Sequence, residues 1–336
     1  MESKKIRVLV VDDSTLMREA IRVVLDSDPL IEVVGVAQDG EEGVAKALTL
    51  KPDVITMDMK MPIMSGLEAI EKIMEENPIP IIVVSSSDVK VIVHALSVGA
   101  MDFVSVSQEI DDIAKDLLEK VKIASRVKPI RRMRIRPVYK RAPLIGSSTD
   151  KVVAIGISTG GPQALQVILS SLPVDLKVSI IIVQHMSAGF IPGLIEWLRP
   201  NCQYAIREAK AGETLQSRVV FFAPDHFNLT VDSSHHIVLK EDVSRKMFHV
   251  PNVDEMLKSV ALSFGKKAIG VLMTGMGQDG VEGMMAIKRA GGVTIAQDEG
   301  SSVIFGMNQM AIKSGCVDKI VPLDKMSEEI YKSCQE

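Results

Sequence analysis

Val152-Val153-Ala154-Ile155-Gly156-Ile157-Ser158-Thr159-Gly160-Gly161-Pro162 decides the fold of the second half of this chain. The β-branched run Val152–Ile155 reads as a buried strand, the glycines as a tight turn, and Pro162–Leu172 as a helix. Strand, turn and helix in that order are the repeating unit of an α/β sheet. Such a turn leaves Ser158 at the carboxyl edge of its strand, with the first N–H groups of the new helix directed at whatever the serine attacks. The same string also makes a phosphate-binding or purely structural turn in doubly wound sheets. Two readings therefore stand: Ser158 is a nucleophile, or Gly156–Gly161 is a phosphate cradle in a non-catalytic, phosphorylation-gated adaptor.

Further strands read outward from this turn: Val178–Val183, Val219–Ala223, Ile269–Met273 and Val293–Ala296. Asn228–Val231 and Ile237–Lys240, around Asp232-Ser233-Ser234, read as a hairpin. A serine hydroxyl needs a base oriented by a third group. Of six histidines, His185 directly follows a long apolar strand, which places it on the edge that carries Ser158. His226 also follows a strand and is the second candidate base. His235 and His236 lie by the hairpin turn, His249 in a polar loop, and His94 in the first half of the chain. For the acid, Asp279 lies in Thr274-Gly275-Met276-Gly277-Gln278-Asp279-Gly280, whose glycines allow close backbone approach and an oxyanion-binding N–H. The order Ser, His, Asp differs from the Ser, Asp, His order of α/β-hydrolases.

The first half repeats the α/β logic. Ile6–Val11, Val33–Ala37, Val54–Met57, Ile81–Val84 and Phe103–Val106 read as strands, with helices over Ser14–Ser27, Gly40–Leu50, Gly66–Glu76 and Val89–Val98. A parallel sheet covered on both faces follows, with working groups at the carboxyl ends of its strands. Asp12, Asp13 and Asp58 end strands there, and three mutually repelling carboxylates suit a hard cation such as Mg²⁺.

At 336 residues two domains are expected. No apolar run approaches the roughly 18 residues that cross a bilayer, and the start reads directly into a strand, so neither membrane insertion nor a signal peptide is expected. Cys202, Cys316 and Cys334 lack metal-ligand spacing and read as reduced thiols of a cytoplasmic protein. The net charge of −4 is unevenly spread: residues 1–119 carry 11 Lys and Arg against 23 Asp and Glu, whereas residues 120–141 carry 10 basic and no acidic side chains. That basic stretch has one aromatic, Tyr139, and no recognition-helix or stacking pattern. It reads as a solvated linker facing acidic neighbours, not as a nucleic-acid site. The expected division is residues 1–125, a linker over 126–148, and residues 149–336.

Val-Val-Asp-Asp-Ser at 10–14, Met-Asp-Met-Lys-Met-Pro-Ile-Met-Ser-Gly at 57–66 and Val-Ser-Ser at 84–86 resemble the receiver domain of two-component response regulators. The resemblance implies that Asp58 accepts a phosphoryl group from a histidine kinase, that Asp12 and Asp13 help hold Mg²⁺, that Ser85 binds the phosphoryl group, and that Phe103 is the aromatic switch. Val106 and Ser107 stand where such domains carry a Lys-Pro pair. The whole chain resembles the chemotaxis protein-glutamate methylesterases. Ile155–Pro162, Gln184-His185-Met186, Ala223–His226, Pro251–Asp254, Met273–Gly280 and Gln297–Met307 carry the likeness, with Asn252 and Asn308 replacing the usual Ser and Pro.

That resemblance implies an α/β fold of two doubly wound parallel sheets, a flavodoxin-like receiver and a Rossmann-like methylesterase with a β-hairpin. It implies a Ser158, His185, Asp279 triad beside Thr159 and Met276, hydrolysing glutamate γ-methyl esters on chemoreceptors, and deamidation of receptor glutamines by the same chemistry. It further implies that the unphosphorylated receiver covers the esterase cleft. No cofactor is expected for the ester reaction, and a monomer is expected.

Overall fold

The computed structural model describes residues 4–86, 88–106, 110–127, 149–242 and 250–336. The chain divides into two compact units, Met1–Arg134 and Ile135–Glu336. Most of the basic stretch (residues 128–148) and His249 lie outside the described residues.

The first unit alternates strand and helix five times: β1 Ile6–Val11, α1 Thr15–Asp26, β2 Ile31–Ala37, α2 Gly40–Leu50, β3 Val54–Met57, α3 Gly66–Glu76, β4 Ile81–Ser85, α4 Val89–Val98, β5 Asp102–Ser105 and α5 Ile110–Ala124. The sheet order is β2-β1-β3-β4-β5, all parallel. β3 and β4 are buried along their whole length, as strands covered by helices on both faces must be. Helix starts are written locally: the Ser14 side chain caps α1, and Ser65 with Glu68 forms a reciprocal capping box on α3. β5 runs one residue earlier than expected, so that Val106 follows it in a turn and donates its N–H to the Ser85 carbonyl at 3.3 Å.

The second unit contains β6 Val152–Ile157, α6 Gly161–Ser171, β7 Ser179–Gln184, α7 Ile191–Leu198, β8 Ala205–Glu208, β9 Val219–Phe222, β10 Asn228–Val231, β11 Ile237–Lys240, α8 Val253–Phe264, β12 Ala268–Leu272, α9 Val281–Arg289, β13 Val293–Gln297, α10 Met307–Lys313, β14 Lys319–Val321 and α11 Met326–Gln335. Seven parallel strands run β14-β13-β12-β6-β7-β9-β8, and β10 with β11 forms the expected antiparallel hairpin. Two edge strands, β8 and β14, escape the sequence reading. Each is three or four residues long and carries charged side chains, as edges that resist aggregation do, so neither leaves an apolar run to read.

The period of two along β6 divides the core. Val153, Ile155 and Ile157 pack with Leu165, Ile168, Leu194 and Ile330 on one face, and Val152 and Ala154 with Met256, Leu257, Met284 and Ile287 on the other. Each such side chain contributes about 1.5–3 kcal/mol on burial, and truncating one to alanine costs about 2–5 kcal/mol. These two layers hold β6 rigidly between β12 and β7. The chain leaves β6 toward β7 on one side and later returns to β12 on the other, so the carboxyl end of β6 is the switch point where open α/β sheets carry their sites.

Candidate active site

Register brings the predicted residues together. Gly156 pairs with both Leu272 and Val183, and Ile157 with Gln184, so Ser158 and His185 are the next residues out of adjacent strands. The His185 N–H closes the ladder on the Ile157 carbonyl at 2.9 Å. On the other side, the loop from β12 carries Asp279 back over the edge, and its Oδ2 lies 3.0 Å from His185 Nε2. Both side chains are about nine-tenths buried.

Asp279 is fixed by more than the imidazole. Its Oδ2 accepts the Val253 N–H and its Oδ1 the Asp254 N–H, each at 2.9 Å, at the first turn of α8. Burial raises the pKa of this carboxyl, but the His185 hydrogen bond and charge and the two backbone donors outweigh it and hold the group below the ordinary aspartate value. It is therefore an anion at neutral pH. Neighbouring Asp254 is pushed up to about 6, chiefly by burial and also by the Asp279 charge, against a hydrogen bond donated by Gly283 N–H.

The Ser158 turn is braced by Thr274, which is fully buried. Its carbonyl accepts the Ser158 N–H at 3.0 Å, and its hydroxyl donates to the Thr159 carbonyl at 2.9 Å. The Thr274 N–H donates in turn to Gln297 Oε1, and buried Asn308 donates to the Gln297 carbonyl and to Ser302 Oγ. Gly275 must be a glycine: a Cβ there would stand 2.7 Å from the Ser158 Cβ. The N–H groups of Ser158 and Gly161 are both committed to protein carbonyls, which removes two amides that a phosphate cradle would use. Thr159 is half-buried beside the serine, and Met276 is exposed on the Asp279 loop. His226 is exposed in a left-handed conformation (φ 66°), and nothing places it with Asp279. His94 is exposed, His235 stacks on Phe264, and His236 faces Asp232.

Sequence patterns now have relatives. The "CheB methylesterase" family pattern matches residues 153–330, and the "Response regulator receiver domain" pattern matches residues 8–118. The chain belongs to the CheB methylesterase family. A protein-glutamate methylesterase/protein-glutamine glutaminase of Halalkalibacterium halodurans is 39% identical over the full length of both chains. One of the same name from Pyrococcus horikoshii is 37% identical over 99% of this chain and 94% of its own. Among solved structures, the CheB methylesterase catalytic domain of Thermotoga maritima is 35% identical, with a TM-score of 0.52, over 55% of this chain and 98% of that one. This CheB-family chain thus joins a receiver to a methylesterase domain.

The receiver carries its own cluster at the carboxyl edge of β1, β3 and β4. Ser85 Oγ donates to Asp58 Oδ1 at 2.6 Å, and the Lys60 N–H to Asp58 Oδ2 at 3.1 Å. The pKa of Asp12 is raised to about 6 by burial first, then by the charges of Asp58 and Asp13, against the Ser14 N–H that its Oδ1 accepts and the charge of Arg18. The three aspartates are thus within electrostatic reach of one another. No ready-made cage of three ligating side chains exists among the described residues. Mg²⁺ does not require one, since it keeps several waters and binds through one or two carboxylates, and the donor set fits it. Phe103 is buried, with the Lys120 ammonium 5.2 Å from its ring centroid and ion-paired to Asp102 and Asp116. Val106 is half-buried and brings no charge to the cluster.

The sequence reading gave no individual role to several supporting residues: Gln184, Asp254, Thr274 and Gln297. Only Gln184 had a local signal, a polar residue ending an otherwise apolar strand.

Proposed function

We propose that this chain hydrolyses glutamate γ-methyl esters on chemoreceptors through Ser158, His185 and Asp279. The observation that carries the reading is the buried His185–Asp279 pair standing level with Ser158 on adjacent strands. Because Nε2 faces the carboxylate, Nδ1 is the nitrogen assigned to the serine. Ser158 Oγ attacks the ester carbonyl while Nδ1 takes its proton, and the Asp279 anion accepts the Nε2–H and stabilises the imidazolium. The Met276 N–H, uncommitted to a main-chain carbonyl among the described residues, is the assigned oxyanion donor. The imidazolium then returns its proton to the departing methoxide, giving methanol and an acyl-enzyme. Water, deprotonated by His185, releases the receptor glutamate and regenerates Ser158. A glutamine side chain enters the same sequence and loses ammonia instead, in keeping with the double activity in the relatives' names.

The receiver is the control element in this reading. Asp58 accepts a phosphoryl group from a histidine kinase, with Asp12, Asp13 and Asp58 holding Mg²⁺ and Ser85 donating to the phosphoryl oxygens. The bound ion neutralises the charge that accumulates there. Phosphorylation then raises esterase activity.

Ser158→Ala tests the nucleophile. Methanol release from methylated receptor should fall by about 10³-fold or more. A variant within a few-fold of the parent overturns the assignment. For the control element, acetyl phosphate with Mg²⁺ should raise the rate of the full chain and leave Asp58→Ala unchanged.

A further inference from the structure

Gln184 does something that neither fold nor ester chemistry requires of the last residue of an apolar strand. It is 2% exposed, and the five residues before it in β7 are completely buried, four of them apolar. Its Nε2 donates to two carbonyl oxygens, those of Ser158 and His185, each at 2.9 Å. A primary amide has two hydrogens on that nitrogen, so one goes to each carbonyl. The opposite orientation of the amide would set an oxygen against two carbonyl oxygens, so the donor pattern is fixed by its acceptors.

The other face of the amide is fixed sterically. Gln184 Oε1 lies only 1.9 Å from where a Cβ on Gly161 would be, so the chain must be glycine there for the amide to lie flat against the turn. The Ser158 carbonyl also accepts the Gly161 N–H at 2.8 Å. One buried side chain therefore touches the nucleophile's carbonyl, the base's carbonyl and the glycine that closes the turn between strand and helix. The β6–β7 ladder closes with the His185 N–H on the Ile157 carbonyl, and the Gln184 amide bridges the next residues out, Ser158 and His185.

We propose that Gln184 is the positioning residue that holds Ser158 and His185 at reacting distance. The proposal rests on the Ser158 nucleophile reading. Gln184 acts through the two backbone units and does not meet the substrate. Proton transfer from Oγ to Nδ1 is sensitive to their separation, and a misplacement of about 1 Å costs about 10²-fold in rate. Loss of the bridge should therefore slow acylation while leaving substrate affinity alone.

The test uses the full chain with Gln184→Met, which keeps the length and removes both donors, and with Gly161→Ala, which displaces the amide while leaving Gln184 in place. Competent sites are counted by stoichiometric labelling with a serine-directed phosphonate, and methanol release is measured over a range of receptor-ester concentrations. We expect full labelling at a slower rate, kcat per labelled site down about 10- to 100-fold, and KM within about 3-fold. Gln184→Glu, which offers no donor and sets a carboxylate against two carbonyls, should be at least as slow. If Gln184→Met, or Gly161→Ala should the former not fold, keeps kcat per labelled site within 3-fold of the parent, the residue is only a packing element and the proposal falls. A merely structural role would lower the number of labelled sites without changing their kcat. If the parent itself takes no label while hydrolysing the ester, the nucleophile reading has failed first, and that outcome is distinct from a normally labelled, normally fast variant.

Discussion

Replacing Asp279 by asparagine separates two jobs of its carboxylate, the bracing of α8 and the proposed orientation of His185. Three donors converge on it: the Val253 and Asp254 N–H groups at 2.9 Å, and His185 Nε2 at 3.0 Å. An amide has one oxygen and one NH₂, so at least one donor must face another donor. If the NH₂ turns to the helix, α8 loses an anion at its N-terminus and gains an unsatisfied N–H. The helix-dipole part is worth about 0.3–1 kcal/mol and the orphaned donor about 1–3 kcal/mol, giving roughly 1–4 kcal/mol of lost stability. If the NH₂ instead takes the Oδ2 place, it leaves the Val253 N–H unsatisfied, donates to Nε2 and forces the proton onto Nδ1, the nitrogen that in the proposed mechanism accepts from Ser158. That is the wrong tautomer, and the comparable change in a serine-protease triad lowers kcat by about 10⁴. Either way the imidazolium loses its counter-charge. We expect methanol release to fall by about 10³- to 10⁴-fold at neutral pH. The assay needs both readouts, initial rate and denaturant unfolding followed on the second unit. In a His185→Ala background the same substitution should cost the same stability and almost no further rate, because residues acting as one unit are non-additive. Asp279→Asn with lowered stability but more than a tenth of the parent rate would refute the catalytic role and leave Asp279 as a brace for α8 alone.

Two other changes follow from local physics. Asp254, with a pKa raised to about 6 mainly by burial, holds a proton in the folded state that the unfolded chain releases near pH 4, so its contribution is full below about pH 4 and is lost as pH rises through about 6. Asp254→Asn keeps an acceptor for the Gly283 N–H; it should be more stable than the parent at pH 7.5 by about 1 kcal/mol after solvent screening and equal to it near pH 4, and a difference that does not change with pH in urea unfolding would count against this account. Ile63 is 79% exposed and holds φ at 64°, a conformation costing a residue with a Cβ about 1–2 kcal/mol, more than the entropy a glycine would add. Ile63→Gly should raise hydrogen-exchange protection of the β1 and β3 amides by a few-fold; unchanged or lower protection would mean that the Ile63 side chain stabilises the fold despite its exposure.

How much of this was legible beforehand depended on how far each signal reaches along the chain. Strands such as Ile81–Ser85 and Ser179–Gln184 announce themselves, because burial on both faces demands an unbroken apolar run. The grouping of Ser158, His185 and Asp279 was legible for the same reason: each follows a strand or lies in the loop beyond one, and parallel strands deliver their carboxyl ends to one edge. The edge strands β8 and β14 were not, since an edge needs few apolar residues and favours charged ones. What supports the site was least legible of all. Thr274 braces the Ser158 turn across 115 residues of sequence, and Gln297 reaches Thr274 across 23, with no local pattern that marks either as polar and buried.

Asp279 shows why the reading of a residue from sequence can be incomplete. As a sequence it offered one role, the triad acid, and the structure adds a second, a brace for α8. In three dimensions they cooperate. Burial raises the carboxyl pKa, and the His185 hydrogen bond and charge, together with the two backbone donors of α8, outweigh it and keep the group an anion. The brace on α8 therefore contributes to the anionic state on which the proposed catalytic role depends. The backbone donors come from α8, whose start is set by Asn252, the residue that departs from the family's usual serine yet still caps the helix by accepting the Glu255 N–H at 2.9 Å. Asn252 thus gives the helix the kind of side-chain acceptor that a serine there would give.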